Sequence, residues 1–561
     1  MNGRFAKCRR TWMVLLASLA LATGAACRLV ASIPELYEEM VPSGDGTRLY
    51  TCGSLPRGDA KKPVIVLRTP YVEELGADRS YVRMLATVAR LRGYLFLLQH
   101  CRGCGESEGD FVPFESERED GLALLAWIRK QPWYNGEILL FGGSYHSLVH
   151  WSYLGSNPPD VKGAVLPVMD VDRYGAAYRN GVFKSALYGH WMKSVYRRKD
   201  RALKRDASVS FADFPLADWA RRHYGVAEPS IDNVLAHPQR DDPFWLSGEP
   251  GSGAAERRAF LDSKIPVLLV TGAYDMFCEG MCDMWRTAPR ARTANCALLV
   301  DAYDHDGRLP EDMKGTRGEF KDGGRLANPL KIFDWFDYCR TGKPCGFPRP
   351  GEVRFYSLWE NRWLGEEALT NGPRRVELPL GTGIRAWTYD PKRPLPEFPG
   401  SGGMCFGGMS VQNAPDFRDD VVSFVLPPAT EELAVRGRME ASLAVSSDCE
   451  DTCFFVRVSV DKGEGRWYLL RDDITTLCAD GPEYAPGSWK TISLRFPDLA
   501  FRLEKGDRLR VDVSSACSQF APHGNVKGVP NFVTEPKVAT NAVDAGNSRL
   551  ILHAALPAQR R

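Results

Sequence analysis

The chain is poor in net charge, in histidine and in long apolar runs. Lysine and arginine outnumber aspartate and glutamate by only two over 561 residues, so there is no basic excess with which to grip nucleic acid. After the amino terminus no stretch approaches the apolar length of a membrane span, and a polytopic membrane protein is excluded. Histidine occurs nine times, which leaves few candidates for any chemistry that needs an imidazole. No CxxC pair is repeated and no histidines fall in step with the cysteines, so the ligand spacing of a zinc site is missing. Neither a metal nor an organic cofactor is expected.

What is present points to an ordinary globular protein. At this length, with 44% hydrophobic and 25% charged residues, the chain can bury two or three cores. Arg4, Lys7, Arg9 and Arg10 precede an apolar run from Trp12 to Ala22 and the small residues 23–26. That is the layout of a secretory signal peptide, residues 1–26, and predicts a periplasmic or secreted protein. A lipid anchor at Cys27 is the alternative, although Gly24 stands where lipoboxes usually carry leucine. Among fifteen cysteines, the close pairs Cys101 with Cys104, Cys278 with Cys282, Cys339 with Cys345 and Cys449 with Cys453 fit local disulfides in an oxidising compartment.

Asp45-Gly46 reads as a hairpin turn. Apolar runs at 62–71, 93–101, 138–141, 163–169, 265–275 and 297–305 read as strands, and 80–92 and 115–131 as helices between them. Strands alternating with helices predict a mostly parallel sheet covered on both faces. Residues 174–261 lack a convincing strand and read as a helical insertion over one end of that sheet. After the amphipathic helix at 328–340 the composition changes. From 346 to 561 short strands recur at 353–359, 421–425, 433–445, 453–460, 490–494 and 508–514, predicting an all-β sandwich or jelly roll. The first fold therefore spans 27–345.

The chemistry centres on E-I-L-L-F-G-G-S-Y-H-S-L-V-H-W, residues 137–151. A buried strand runs into Gly142-Gly143, Ser144 follows, and a helix begins at Tyr145. A serine on such a turn has an exposed hydroxyl, and the next backbone N–H faces whatever it attacks. The match to G-x-S-x-G is partial, because His146 occupies the second glycine position. A serine nucleophile needs a histidine base and a carboxylate to fix that histidine, in the order Ser, Asp or Glu, His for this fold. His305 ends the run A-L-L-V-D-A-Y-D-H and is the one histidine suitably placed; Asp275 ends V-L-L-V-T-G-A-Y-D thirty residues earlier. Asp301 and Asp304 are rival acids, but they lie close to His305 in sequence.

Together these stretches resemble the cocaine-esterase-like family of α/β-hydrolase serine enzymes, related to X-Pro dipeptidyl peptidases and α-amino acid ester hydrolases. The resemblance rests on V-P-S-G-D-G-T-R-L at 41–49, T-P-Y at 69–71, R-G-C-G-E-S-E-G at 102–109, Q-P-W-Y-N-G at 131–136, G-G-S-Y at 142–145, A-Y-D-M-F at 273–277 and Y-D-H-D-G at 303–307. W-E-N-R-W at 359–363, Y-D-P-K-R-P at 389–394 and K-G-D-R-L-R at 505–510 are similar to the family's carboxy-terminal jelly roll. It implies a triad of Ser144, Asp275 and His305, with an oxyanion hole built from the Tyr145 N–H and the Tyr71 hydroxyl.

Two departures stand out: Ser147 replaces the last glycine of G-x-S-Y-x-G, and His100 replaces the usual Asp of Q-D-x-R-G. Relatives that act on α-amino esters place acids two and three positions after the triad aspartate, where this chain has Phe277 and Cys278; Glu279 or acids of the insertion are the substitutes. The expected activity is hydrolysis of a small acyl ester or amide, neutral or carboxylate-bearing, through an acyl-enzyme. The alternatives are an X-Pro dipeptidyl peptidase and an inactive secreted protein whose jelly roll binds a ligand.

Overall fold

The computed structural model describes residues 36–556 except 57–59, 73–78, 197–203, 250, 309–328, 345, 347, 394, 406, 480 and 482. The signal-peptide and lipid-anchor readings at residues 1–27 fall outside the described residues, as does Cys345.

Strands β1 (Leu36–Pro42) and β2 (Arg48–Ser54) form the antiparallel hairpin expected at Asp45-Gly46, with Gly46 at φ 88°. Then follow β3 (Lys62–Thr69), α1 (Ser80–Leu91), β4 (Leu95–His100), α2 (Glu117–Ile128), β5 (Tyr134–Phe141), α3 (Tyr145–Leu154) and β6 (Val161–Pro167). Strands β3 to β6 pair in parallel; β3, β4 and β6 are buried along most of their length and β5 over Ile138 to Leu140, as apolar runs at the centre of a two-sided sheet must be.

Between β6 and the next sheet strand the chain leaves the sheet. It forms a two-residue ribbon, β7 (Tyr178–Arg179) with β8 (Val182–Phe183), and short helices including His190–Val195, Trp219–Tyr224, Pro229–Ala236 and Ala254–Asp262. This is the helical insertion, with a small ribbon the sequence did not announce. The sheet resumes with β9 (Val267–Tyr274), α4 (Cys278–Thr287), β10 (Cys296–Asp304) and α5 (Pro329–Thr341).

Two further strands correct the reading of the second half. β11 (Val353–Ser357) and β12 (Arg362–Leu364) lie past residue 346, where the sandwich was expected to begin. They instead complete a ten-stranded sheet of order β1-β2-β4-β3-β5-β6-β9-β10-β11-β12. The main-chain groups of β10 left open at the sheet edge select this partner: Leu298 to Val300 pair in parallel with Val353 to Phe355.

The remainder is an antiparallel sandwich. Its strands are β13 (Arg374–Pro379), β14 (Ile384–Tyr389), β15 (Val421–Val425), β16 (Leu433–Val435), β17 (Glu440–Ser447), β18 (Cys453–Asp461), β19 (Trp467–Thr476), β20 (Lys490–Arg495), β21 (Phe501–Leu503), β22 (Arg508–Ser514) and β23 (Ala539–Ala554). One sheet runs β20-β17-β23-β16-β21, with β13 and β14 also paired to β23; the other runs β15-β22-β18-β19.

The expected Cys339–Cys345 disulfide lies partly outside the described residues, and the six cysteines expected to bond as Cys101–Cys104, Cys278–Cys282 and Cys449–Cys453 form no disulfide. Most of the described cysteines are buried and act as small apolar side chains. Cys278 and Cys282 sit one turn apart on α4, where the Cys282 thiol is pushed up by its hydrogen bond to Cys278 and by burial.

Between β18, β19 and the segment 400–412 lies a buried ionic contact. Arg457, fully buried, pairs with Asp472 at 2.5 Å and also donates to Pro399 O and Gln412 Oε1. Asp472 in turn accepts from the N–H of Gly402 at 3.0 Å. Removing one member leaves a desolvated charge without its partner, so Asp472→Ala is expected to cost roughly 3–5 kcal/mol. Denaturant unfolding followed by tryptophan fluorescence checks this; an unchanged midpoint would contradict it.

Candidate active site

Three strand ends meet above the sheet, and each is shaped by a local constraint. At the first, Ser144 adopts φ 58°, ψ −132°, a region a residue with a Cβ rarely visits, between β5 and α3. Gly142 permits that turn: a Cβ there would lie 2.4 Å from the Cβ of His146, where α3 doubles back over the strand end. The Ser144 N–H donates to Pro167 O at 3.0 Å. The next N–H, of Tyr145, opens α3 and has no partner within the helix.

The second end is β9. Asp275 follows it with no exposed surface. The third is β10, where a register shift between Asp301 and Asp304 swings the chain and delivers His305 beyond the strand. Gly272 makes that approach possible, since a Cβ there would lie 2.0 Å from Tyr303 O.

These three ends bring Ser144, His305 and Asp275 into one line. His305 Nδ1 lies 2.8 Å from Asp275 Oδ1 and Nε2 lies 3.1 Å from Ser144 Oγ. A carboxylate only accepts, so the proton sits on Nδ1 and Nε2 is left as acceptor for the serine hydroxyl. The Thr271 hydroxyl donates to Asp275 Oδ2 at 2.5 Å, and the Phe277 N–H to Oδ1 at 3.3 Å, which fixes the carboxylate. Burial disfavours the imidazolium, but Asp275, by charge and hydrogen bond, with Asp306 and Asp304 outweighs it and holds His305 above its ordinary 6.5. The rival acids are engaged elsewhere: Asp301 Oδ1 accepts from the Ala302 N–H, and Asp304 accepts from the Asp306 and Arg308 N–H groups.

Tyr71, just past β3, is half-buried, edge-on to the ring of His146 at 5.1 Å. Its N–H donates to Thr69 Oγ1, which also lies 2.8 Å from His146 Nε2. Burial lowers His146 to about 4, so the ring is neutral. From the insertion, the indole N–H of Trp191 donates to the Tyr71 hydroxyl oxygen at 2.9 Å. The Trp191 ring also lies 5.2 Å from that of Tyr145 and 5.7 Å from that of Phe114.

Behind the turn a buried polar chain holds Tyr145. Its hydroxyl donates to Glu117 Oε1 at 3.1 Å and accepts from the Phe114 N–H at 2.8 Å, while Glu117 Oε2 pairs with Arg68 at 2.9 Å. Arg102 then ties Asp120 of α2 to Asp45 of the first hairpin at 2.7 and 2.6 Å. The motifs at 41–49 and 102–109 thus brace the helix behind the serine. No spacing signal singles out Arg68, Glu117 or Trp191, because each acts through a contact distant in sequence.

The departures resolve in the same terms. The Ser147 hydroxyl shares its one proton between Gly142 O and, at 2.9 Å, Pro167 O, so a small residue still fits against the strand ends. His100 is buried, 3.0 Å from Glu106, and lowered to about 4 chiefly by burial. Phe277 packs 5.6 Å from the His305 ring and Cys278 is fully buried. Glu279 does not stand in as a free acid: Arg179 of β7 holds it at 2.7 Å and Arg438 lies 3.8 Å away.

The sandwich closes the back of the site. Glycines of the segment 400–409 pack against the loops that carry Asp275 and His305; a Cβ on Gly403 would lie 3.6 Å from Asp275 O, and one on Gly408 3.1 Å from Asp304 Cβ.

Comparison with known proteins agrees with this architecture. Residues 45–307 match the model of the X-Pro dipeptidyl-peptidase (S15) family, and residues 349–550 match that of the X-Pro dipeptidyl-peptidase C-terminal non-catalytic domain. The cocaine esterase of Rhodococcus sp. (strain MB1 Bresler) is 26% identical over 495 residues, covering 78% of this chain and 82% of that protein. Among solved structures, an α-amino acid ester hydrolase superposes with a TM-score of 0.73 at 19% identity, over 93% of this chain and 96% of the other. An aminopeptidase from a marine sediment Thaumarchaeota archaeon gives the same TM-score and coverage at 18% identity, and both likenesses speak to the fold alone. Matched in order along both halves of the chain, these models and the cocaine esterase likeness show that it belongs to the cocaine-esterase-like and X-Pro dipeptidyl-peptidase family and is a serine hydrolase.

Proposed function

We propose that the protein is an exported serine hydrolase that cleaves acyl ester or amide bonds, with Ser144 as nucleophile, His305 as general base and Asp275 as its orienting carboxylate. The observation that carries this reading is the unbroken line from Ser144 Oγ through His305 to the buried Asp275, at 3.1 and 2.8 Å. His305 takes the hydroxyl proton as Ser144 attacks the carbonyl. The resulting oxyanion is held by the Tyr145 N–H and the Tyr71 hydroxyl. His305 then protonates the leaving group, and activates a water that releases the acid and restores the serine. Export rests on the amino-terminal signal-peptide pattern.

The preferred substrates lack a free α-ammonium group. Phe277 and Cys278 offer no carboxylate, and Glu279 is already paired with Arg179. The rings of Tyr71 and Phe114, packed on His146 and Tyr145 next to the serine in sequence, favour an apolar acyl or leaving group. The family's peptidase name keeps X-Pro dipeptide release as the second reading. A panel of p-nitrophenyl acyl esters beside X-Pro p-nitroanilides separates the two: the first reading predicts higher kcat/KM on the esters, and preferential release from X-Pro amides would overturn it.

Ser144→Ala is expected to abolish both fluorophosphonate labelling and p-nitrophenyl acetate turnover while the protein stays folded by circular dichroism. Turnover in that variant equal to the parent would remove Ser144 from the mechanism.

The pH profile follows from His305. Proton abstraction needs the neutral ring, so kcat/KM is expected to fall as pH drops through a value above 6.5, the side to which Asp275 shifts it. Asp275→Asn removes that charge. It should move the acid limb to lower pH and reduce kcat by roughly 10⁴-fold, the scale for losing the orienting carboxylate. An acid limb unmoved by the substitution would contradict the assignment.

A further inference from the structure

One residue of the helical insertion touches the Tyr71 hydroxyl and the side chain of Tyr145, the two residues assigned to the oxyanion hole. The Trp191 indole N–H donates to the Tyr71 hydroxyl oxygen at 2.9 Å, and the same ring packs against the side chain of Tyr145, centroids 5.2 Å apart and planes 35° from parallel. Phe114 and Tyr188 flank the indole on other sides, at 5.7 and 6.2 Å.

The chemistry of the pair sets a direction. An indole N–H can only donate, so the phenol oxygen accepts and its own proton cannot point at Trp191. A phenol that accepts a hydrogen bond is also a stronger donor through its O–H, because the two bonds polarise one another. Tyr71 is tethered from the main-chain side as well, its N–H donating to Thr69 Oγ1. With the backbone held by Thr69 and the oxygen by Trp191, the O–H has few remaining directions. We infer that Trp191 is a positioning residue: its N–H aims the Tyr71 proton at the oxyanion formed on the carbonyl attacked by Ser144, so that the insertion completes the oxyanion hole as well as covering the site.

This inference rests on the assignment of Tyr71 to the oxyanion hole, and the test separates the two. Trp191→Phe keeps an aromatic ring in the cluster and deletes the donor. It is measured beside Tyr71→Phe and the double variant on p-nitrophenyl acetate, with fluorophosphonate labelling of Ser144 and circular dichroism as checks that the triad and fold persist. Tyr71→Phe should lower kcat by about 10²- to 10³-fold, the scale of one lost oxyanion donor. Trp191→Phe should lower kcat about tenfold with KM nearly unchanged, and should cause no further loss in the Tyr71→Phe background, the non-additivity of groups that act through one another.

A tenfold loss that persists after Tyr71→Phe, or one that appears in KM instead of kcat, would show that Trp191 only packs or binds substrate and would overturn the inference while leaving the Tyr71 assignment intact. Full activity of Trp191→Phe with a crippled Tyr71→Phe would do the same. Full activity of Tyr71→Phe would overturn the assignment itself, and the inference with it. If Trp191→Phe fails to fold, Trp191→His keeps a ring N–H, and its kcat measured against Trp191→Leu carries the test: equal activities would overturn the inference, and a higher kcat for the histidine variant would support it.

Discussion

Asp275 is a carboxylate with no exposed surface, and a buried charge must be compensated on every side. Its two oxygens receive His305, Thr271 and the Phe277 N–H. Meeting that demand requires β9 and β10 to approach closely at Gly272, and requires the register shift in β10 that throws His305 clear of its strand. The same arrangement raises the affinity of His305 for a proton and leaves Nε2 facing Ser144. Satisfying one buried carboxylate therefore accounts for the strand geometry, the tautomer and the proton affinity of His305 together.

The second half of the chain is part of this arrangement. Glycines between 400 and 409 let the sandwich lie directly on the loops bearing Asp275 and His305. The Tyr274 hydroxyl, one residue before Asp275, donates to Leu469 O at 2.9 Å. Arg179, from the insertion, reaches both Asp473 of β19 and Glu279 of α4 at 2.7 Å, fastening three parts of the molecule at one guanidinium. Arg438 and Arg286 extend the contact through Asp498, at 3.2 and 2.7 Å. The loops that carry Asp275 and His305 are thus clamped from outside the hydrolase sheet by the carboxy-terminal sandwich.

Legibility in the sequence followed the range of the interactions. Ser144, Asp275 and His305 each end an apolar run, and local patterning sufficed to bring all three forward. In the sandwich the runs at 421–425, 433–445, 453–460, 490–494 and 508–514 mark β15 to β18, β20 and β22, whereas β13, β14, β19, β21 and β23 were not read. β23, A-T-N-A-V-D-A-G-N-S-R-L-I-L-H-A, is sixteen residues long and central to its sheet, yet Asn, Asp and Gly break its alternation and hide it. Strand Val353–Ser357 carries the same local signal as a sandwich strand, and only the open edge of β10 decides that it belongs to the first sheet. The cysteine pairs misled because spacing says nothing of burial: Cys101, Cys278 and Cys453 are core residues, inert as thiols while packed. Trp191 and Glu117 lie in stretches without motif character, and their roles arise from contacts 120 and 28 residues away.

The central claim is that Ser144 becomes covalently acylated during turnover. Acid-quenching the enzyme in the first turnovers of p-nitrophenyl acetate, followed by peptide mass mapping, reads this directly. The account predicts an acetyl group on the peptide containing Ser144, in amounts matching a burst of p-nitrophenol and absent from Ser144→Ala. Turnover without an acetylated Ser144, or with the acetyl group on another residue, would contradict it.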